Sequence, residues 1–152
     1  MKKNMTTDLI NRMRNFDPDS PHQVNSNFAM LPFEYGDAQI VFLPVCWDVT
    51  SSGMPGSSRG PINILEQSVE IDLSDPNFAN AYLLGHHFLP PQMDQMHEND
   101  ELRKLYEKIQ SDQILDIGEK LNYLNRACQS LHNKVHEQCR QIIRDDKMVG
   151  LV

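Results

Sequence analysis

The chain has 152 residues, with 21 Asp and Glu against 14 Lys and Arg and a formal net charge of −7 when histidine is neutral. That length suits one domain burying roughly two-thirds of its unfolded surface. The acidic balance excludes generic nucleic-acid or anionic-membrane binding, since both need a basic field. Three cysteines, Cys46, Cys128 and Cys139, form no paired framework and no Cys-x-x-Cys, which predicts reduced thiols. No window reaches the apolar length of a spanning helix, and Met1-Lys2-Lys3 leads into Asn4, Thr6, Thr7 and Asp8 rather than an apolar signal core. A cytoplasmic protein is expected.

Residues 1–27 are polar and carry Pro18 and Pro21; Leu9, Ile10 and Met13 fit one short helix, and the rest reads as an arm or linker that either wraps a neighbouring subunit or moves freely. Residues 28–152 follow as a single domain. Ile40-Val41-Phe42-Leu43-Pro44-Val45 does not alternate, which predicts a strand over 39–45 buried on both faces, as in a parallel sheet between helices. Ser51-Ser52-Gly53 and Pro55-Gly56-Ser57-Ser58 cannot continue it. Pro61 suits a first helical turn, where its missing N–H is no loss, and Ile62, Leu65 and Val69 follow at helical spacing. Asp75-Pro76-Asn77 reads as a turn. Two prolines, Pro90 and Pro91, stop the apolar stretch that begins at Tyr82, and a third short strand is expected at 69–73 or 82–88. Asn99 or Asp100 is predicted to cap a helix with Leu102, Leu105, Tyr106 and Ile109 on one face and Glu101 in its first turn.

The strongest periodicity spans 111–144. Ile114, Ile117, Leu121, Leu124, Cys128, Leu131, Val135, Cys139 and Ile142 are spaced by threes and fours, one helical stripe. Unbroken, such a helix is about 50 Å long, and a bend near Gly118 is expected. Arg140 and Arg144 favour its carboxyl end. A turn at Asp145-Asp146 then leads to a buried-type strand over 147–152, so helix followed by strand makes half of a crossover unit. The predicted fold class is α/β with a parallel sheet. Its two clear strands leave edges and apolar faces wanting neighbours.

The residues around the first strand also carry a resemblance. Leu43-Pro44-Val45-Cys46-Trp47-Asp48-Val49-Thr50, then Gly53-Met54-Pro55-Gly56-Ser57-Ser58-Arg59-Gly60-Pro61, then Ile64-Leu65-Glu66 and Ile71-Asp72-Leu73, resemble the amino-terminal signature of the ureohydrolases, the arginase, agmatinase and formiminoglutamase enzymes. Val149-Gly150-Leu151-Val152 resembles the strand that, in that family, runs into a Gly-Gly-Asp-His segment bearing the first metal-ligating histidine. Many agmatinases have an arginine where Met54 stands, so the loop is closer to a bacterial arginase or formiminoglutamase type. The resemblance implies a three-layer arginase-like fold, of which this chain is the amino-terminal part, truncated before the metal-binding segments. It implies a binuclear manganese site in the complete fold, a hydroxide between the two ions attacking a guanidinium or formimino carbon, and a carboxyl-terminal part or an oligomer partner to complete it. The family's Asp-Ala-His-x-Asp and Asp-x-Asp ligand clusters have no counterpart in this sequence, so no metal ligand and no catalytic residue is carried over.

Trp47, Asp48, Thr50 and Ser51 are the candidate site residues, because ligands of open α/β sheets sit at the carboxyl ends of strands and these four leave the end of the first one. Asp48 either lines a pocket for a cationic substrate or caps the loop's own N–H groups, the second being the commoner use of such a residue. His132 and His136 are four apart on a helix, a chelating spacing, but they lack the glutamate of the zinc-protease motif and read as solvated surface. His86 and His87 point to opposite faces of an extended segment, and His97 reads as loop. Cys128 and Cys139 lie roughly 16 Å apart along one helix, too far for a disulfide. Cys46 is better placed for a nucleophile, yet no histidine lies near it in sequence to activate it. A Gly-x-x-Gly without Lys-Ser/Thr is a weak phosphate signal. The expectation is therefore the amino-terminal part of a manganese-dependent hydrolase of linear amidines, inactive by itself; the alternative is a non-enzymatic helical interaction module using the 114–142 stripe.

Overall fold

A computed structural model describes residues 7–17, 27–73, 77–78, 81–111 and 116–152. Pro18, Pro21, His22, Asp75, Pro76 and Ile114 therefore lie outside the described residues. Helix α1 (Thr7–Arg14) comes first, then strand β1 (Ile40–Leu43), helix α2 (Gly60–Gln67), strand β2 (His86–Phe88), helices α3 (Met93–Gln110) and α4 (Ile117–Arg144), and strand β3 (Met148–Leu151).

The described strands make one parallel sheet in the order β2-β1-β3. Ile40 lies opposite His86 and Met148, and Leu43 opposite Leu151, so the first strand in sequence is the central one. Parallel neighbours require crossovers. The loop and α2 carry the chain from β1 to β2, and α3 and α4 carry it from β2 to β3. The short third strand falls in 82–88, not in 69–73, where Ser68–Glu70 is a 3-10 turn.

Both faces of β1 are covered, as its unalternated sequence requires. Val41 and Leu43, 0% and 2% exposed, pack with Ile142 of α4 and with Val135, Cys139 and Val149. On the other face Phe42 meets Phe28 at 4.7 Å between ring centroids, Phe88 at 5.9 Å and the stacked His86 ring at 6.1 Å. Phe42 also closes over Gly150: a Cβ there would stand 3.1 Å from the ring, so the β1–β3 pairing takes only glycine without displacing Phe42.

The polar amino-terminal segment is not wholly an arm. α1 docks on its own chain, with Leu9 buried against Ala29, Leu31 and Phe33, and Arg12 bonded to the Asp37 carboxylate at 2.6 Å and the Pro32 carbonyl at 2.5 Å. The third helix begins at Met93, six residues before the expected cap, and Asn99 lies inside it. His97 is likewise helical rather than in a loop. The long helix begins at Ile117, which puts Gly118 in its first turn instead of at a bend. From Leu124 to Ile142 its apolar stripe faces the chain's own core, while Ile117 and Leu121 are 37% and 38% exposed. No described helix is long and apolar enough to cross a membrane.

Candidate functional site

Residues 44–59 leave the carboxyl end of β1 and return as the start of α2. Pro44 breaks the ladder by lacking an N–H. Val45 still donates to the Val152 carbonyl at 2.7 Å, and beyond it the segment turns toward α3. Gly56 has φ 127°, a conformation that side chains rarely adopt, and its N–H is aimed back at Asp48. Pro61 opens α2 at its first turn.

Asp48 is 6% exposed. Its Oδ2 accepts from the N–H groups of Gly56 (2.7 Å) and Ser58 (3.3 Å), and its Oδ1 accepts from the Asn99 amide at 3.0 Å. Burial by itself pushes the carboxyl up, but these hydrogen bonds to the ionised form outweigh it and hold Asp48 below the usual carboxylate range. A negative charge is thus kept ionised inside the loop by the loop's own N–H donors and one amide.

The partner surface is a single row on α3. Gln95, Asn99 and Arg103, spaced by four, share one helical face. The Cys46 N–H donates to Gln95 Oε1 (2.9 Å), and the Asp48 N–H donates to Asn99 Oδ1 (2.7 Å). Arg103 Nη1 donates to the carbonyls of Asp48 (3.0 Å), Val49 (3.4 Å) and Ser51 (2.8 Å), while its Nε meets Glu107 at 3.1 Å. Below this row Val49 packs, fully buried, with Leu102, Ile109 and Leu124, and Trp47 lies against the same cluster. Every backbone polar group so engaged is one that a loop at a strand end would otherwise leave to water.

Of the four candidate residues, Asp48 is buried, Trp47 and Ser51 are partly buried, and Thr50 is exposed. They stand together at the sheet's carboxyl end. The partnership of Gln95, Asn99 and Arg103 with this loop was not anticipated from sequence; the signal present was three polar residues at i, i+4 and i+8 alongside the helix's apolar positions, with Leu102 and Tyr106 three residues on from Asn99 and Arg103. Ser68, 1% exposed, is a second unanticipated anchor: its hydroxyl donates to the Leu65 carbonyl at 2.6 Å and accepts from the Ala29 N–H at 2.8 Å.

The remaining candidates stay apart. Cys46 is fully buried, and burial pushes its thiol up, away from the thiolate that nucleophilic attack requires. His132 and His136 are exposed on α4. His86 stacks on Phe42, whereas His87 Nδ1 lies 3.4 Å from the Phe33 carbonyl. A groove of about 430 Å³ runs beside α3, lined by Asp94, His97, Glu98, Glu101 and Tyr123 over Leu102 and Leu105. Among the described residues no three His, Cys, Asp or Glu side chains converge on one point.

No protein-family model, curated protein or solved structure matches this chain.

Proposed function

We propose that residues 28–152 form the amino-terminal part of an arginase-like hydrolase of guanidino or formimino C–N bonds, contributing the central strand and one wall of the substrate pocket but not the catalyst. The observation that carries this reading is the loop of residues 48–58. It combines the ureohydrolase-like signature with a rigid seat at the carboxyl end of the central strand of a parallel sheet, the position where open α/β sheets bind ligands. In this reading Asp48 shapes the wall through Gly56 and Ser58, and Thr50 and the tip near Met54, which is 90% exposed, face the substrate side. The chain's own residues exclude water from the strand end and fix the loop. The manganese ligands come from polypeptide outside this chain, and no chemical step is assigned to residues 1–152.

The test is twofold. Calorimetry with MnCl₂ and assays for urea, ammonia and formamide are expected to give neither tight binding nor turnover with the purified chain. Adding a carboxyl-terminal ureohydrolase segment that carries the metal ligands is expected to restore both. Two ions bound per chain at micromolar affinity without that segment, and lost when a histidine pair is replaced, would overturn the assignment. So would failure of every such segment to associate while the purified chain forms a defined oligomer, the behaviour of a helical interaction module.

A further inference from the structure

We infer that Asn99 is the positioning residue of the 48–58 loop, holding the proposed pocket wall by reading a donor and an acceptor of Asp48 at once. This rests on the assignment of that loop as a wall, but the geometry behind it does not. Asn99 is 1% exposed, and its two amide atoms meet opposite partners: Oδ1 accepts the Asp48 N–H at 2.7 Å and Nδ2 donates to Asp48 Oδ1 at 3.0 Å. The second Asp48 oxygen is thereby left for Gly56 and Ser58. A carboxylate at position 99 fits the N–H but faces the Asp48 carboxylate, and a leucine leaves the Asp48 N–H and one Asp48 carboxylate oxygen without their partner. Asn99 therefore couples the helix to the loop through one ionised carboxylate.

The charged groups beside this pair are Arg103, on the carbonyls of residues 48–51, and Asp100, whose Oδ1 is 3.5 Å from Asn99 Nδ2. The turn at Ser57–Arg59 presents Arg59 to solvent, and α4 meets α3 here through Leu124. The substitution Asn99→Asp puts two carboxyls at hydrogen-bond distance, where they cannot both ionise without repulsion. With one proton shared, the carboxyl introduced at position 99 can donate to Asp48 as the amide did. The variant is therefore expected to release the loop at neutral pH and recapture it in acid.

Trp47, the sole tryptophan, adjoins Asp48 and reports the loop directly. In the full chain, Asn99→Asp is expected to shift Trp47 emission to the red and raise acrylamide quenching about twofold at pH 7.5, with helical circular dichroism retained, both effects reversing on acidification. The wild type is expected to show no such transition. Because the single variant risks unfolding, the exchange Asp48→Asn with Asn99→Asp supplies the second measurement. In it the amide introduced at position 48 can accept from Gly56 and Ser58 and donate to the carboxylate introduced at position 99, so the wild-type signal is expected to return at pH 7.5. Unchanged Trp47 quenching in Asn99→Asp would overturn the inference, and so would parallel loss of fluorescence and helicity that the exchange does not repair. Activity is not read, so failure of the pocket-wall assignment would leave these signals in place.

Discussion

At Asp48 and His86 burial acts on ionisable groups with different outcomes. Asp48 is compensated by hydrogen bonds from Gly56, Asn99 and Ser58 and stays ionised; its folded value lies below its unfolded one, so its stabilisation is present above the ordinary carboxylate range and is lost as pH falls through the lowered value. Asp48→Ala leaves the Gly56 and Ser58 N–H groups and the Asn99 amide without their partner, and a loss of about 3 kcal/mol is expected in urea denaturation. His86 has no such compensation. It is stacked against Phe42, its Nδ1 has no hydrogen-bond partner among the described residues, and burial lowers its pKa from 6.5. The neutral ring is the folded form, so stability is full above the unfolded value and declines as pH falls through the folded one. His86→Phe keeps the aromatic contact and removes the proton, so the melting temperature is expected to fall less between pH 7.5 and pH 5 in this variant than in the wild type.

Elements with a complete local pattern were the ones legible in the sequence. β1 was readable because an unalternated apolar run admits few other placements, and the 117–144 helix because its stripe persists for many turns. β2 is three residues long, and its neighbours in sequence gave the 82–88 and 69–73 alternatives equal support. The start of α3 was misplaced because Asn99 resembles a cap, whereas tertiary hydrogen bonding to Asp48 is what holds an asparagine in a helix interior. At the candidate site the strand-end position of Asp48 was readable; its donors were not, since they arrive from residues 56, 58 and 99. α1 was foreseen as a helix, but its docking depends on a cluster assembled from residues 9, 29, 31 and 33. Leu9→Ala is expected to cost about 2 kcal/mol and to release α1 specifically: its amides should exchange rapidly while those of β1 remain protected. Equal loss of protection in both elements would contradict that hierarchy.

Across the whole molecule the sheet is asymmetric at its margins. β2 has three residues and ends just before Pro90 and Pro91, features that discourage further pairing, whereas Met148–Leu151 carries no charge and no proline. Met148 and Val152 donate to the Gln39 and Leu43 carbonyls at 2.8 and 3.1 Å, which turns the intervening Val149 and Leu151 N–H groups outward. Those two amides are expected to exchange at least tenfold faster than Gly150 and the β1 amides in the isolated chain, and to become protected when a carboxyl-terminal segment binds. Uniform protection along β3 in a monomer would mean that the edge is already covered. The row of Gln95, Asn99 and Arg103 bears on how this chain tolerates insertions and deletions. One residue added to α3 between Gln95 and Arg103 turns the following part of the row by about 100° around the helix axis and carries it off the 46–51 backbone. One residue added between Ser52 and Pro55, where every side chain is exposed, disturbs none of those contacts. Length variation is thus tolerated at the tip of the loop, while the helix beneath it behaves as a gauge that admits no change of count.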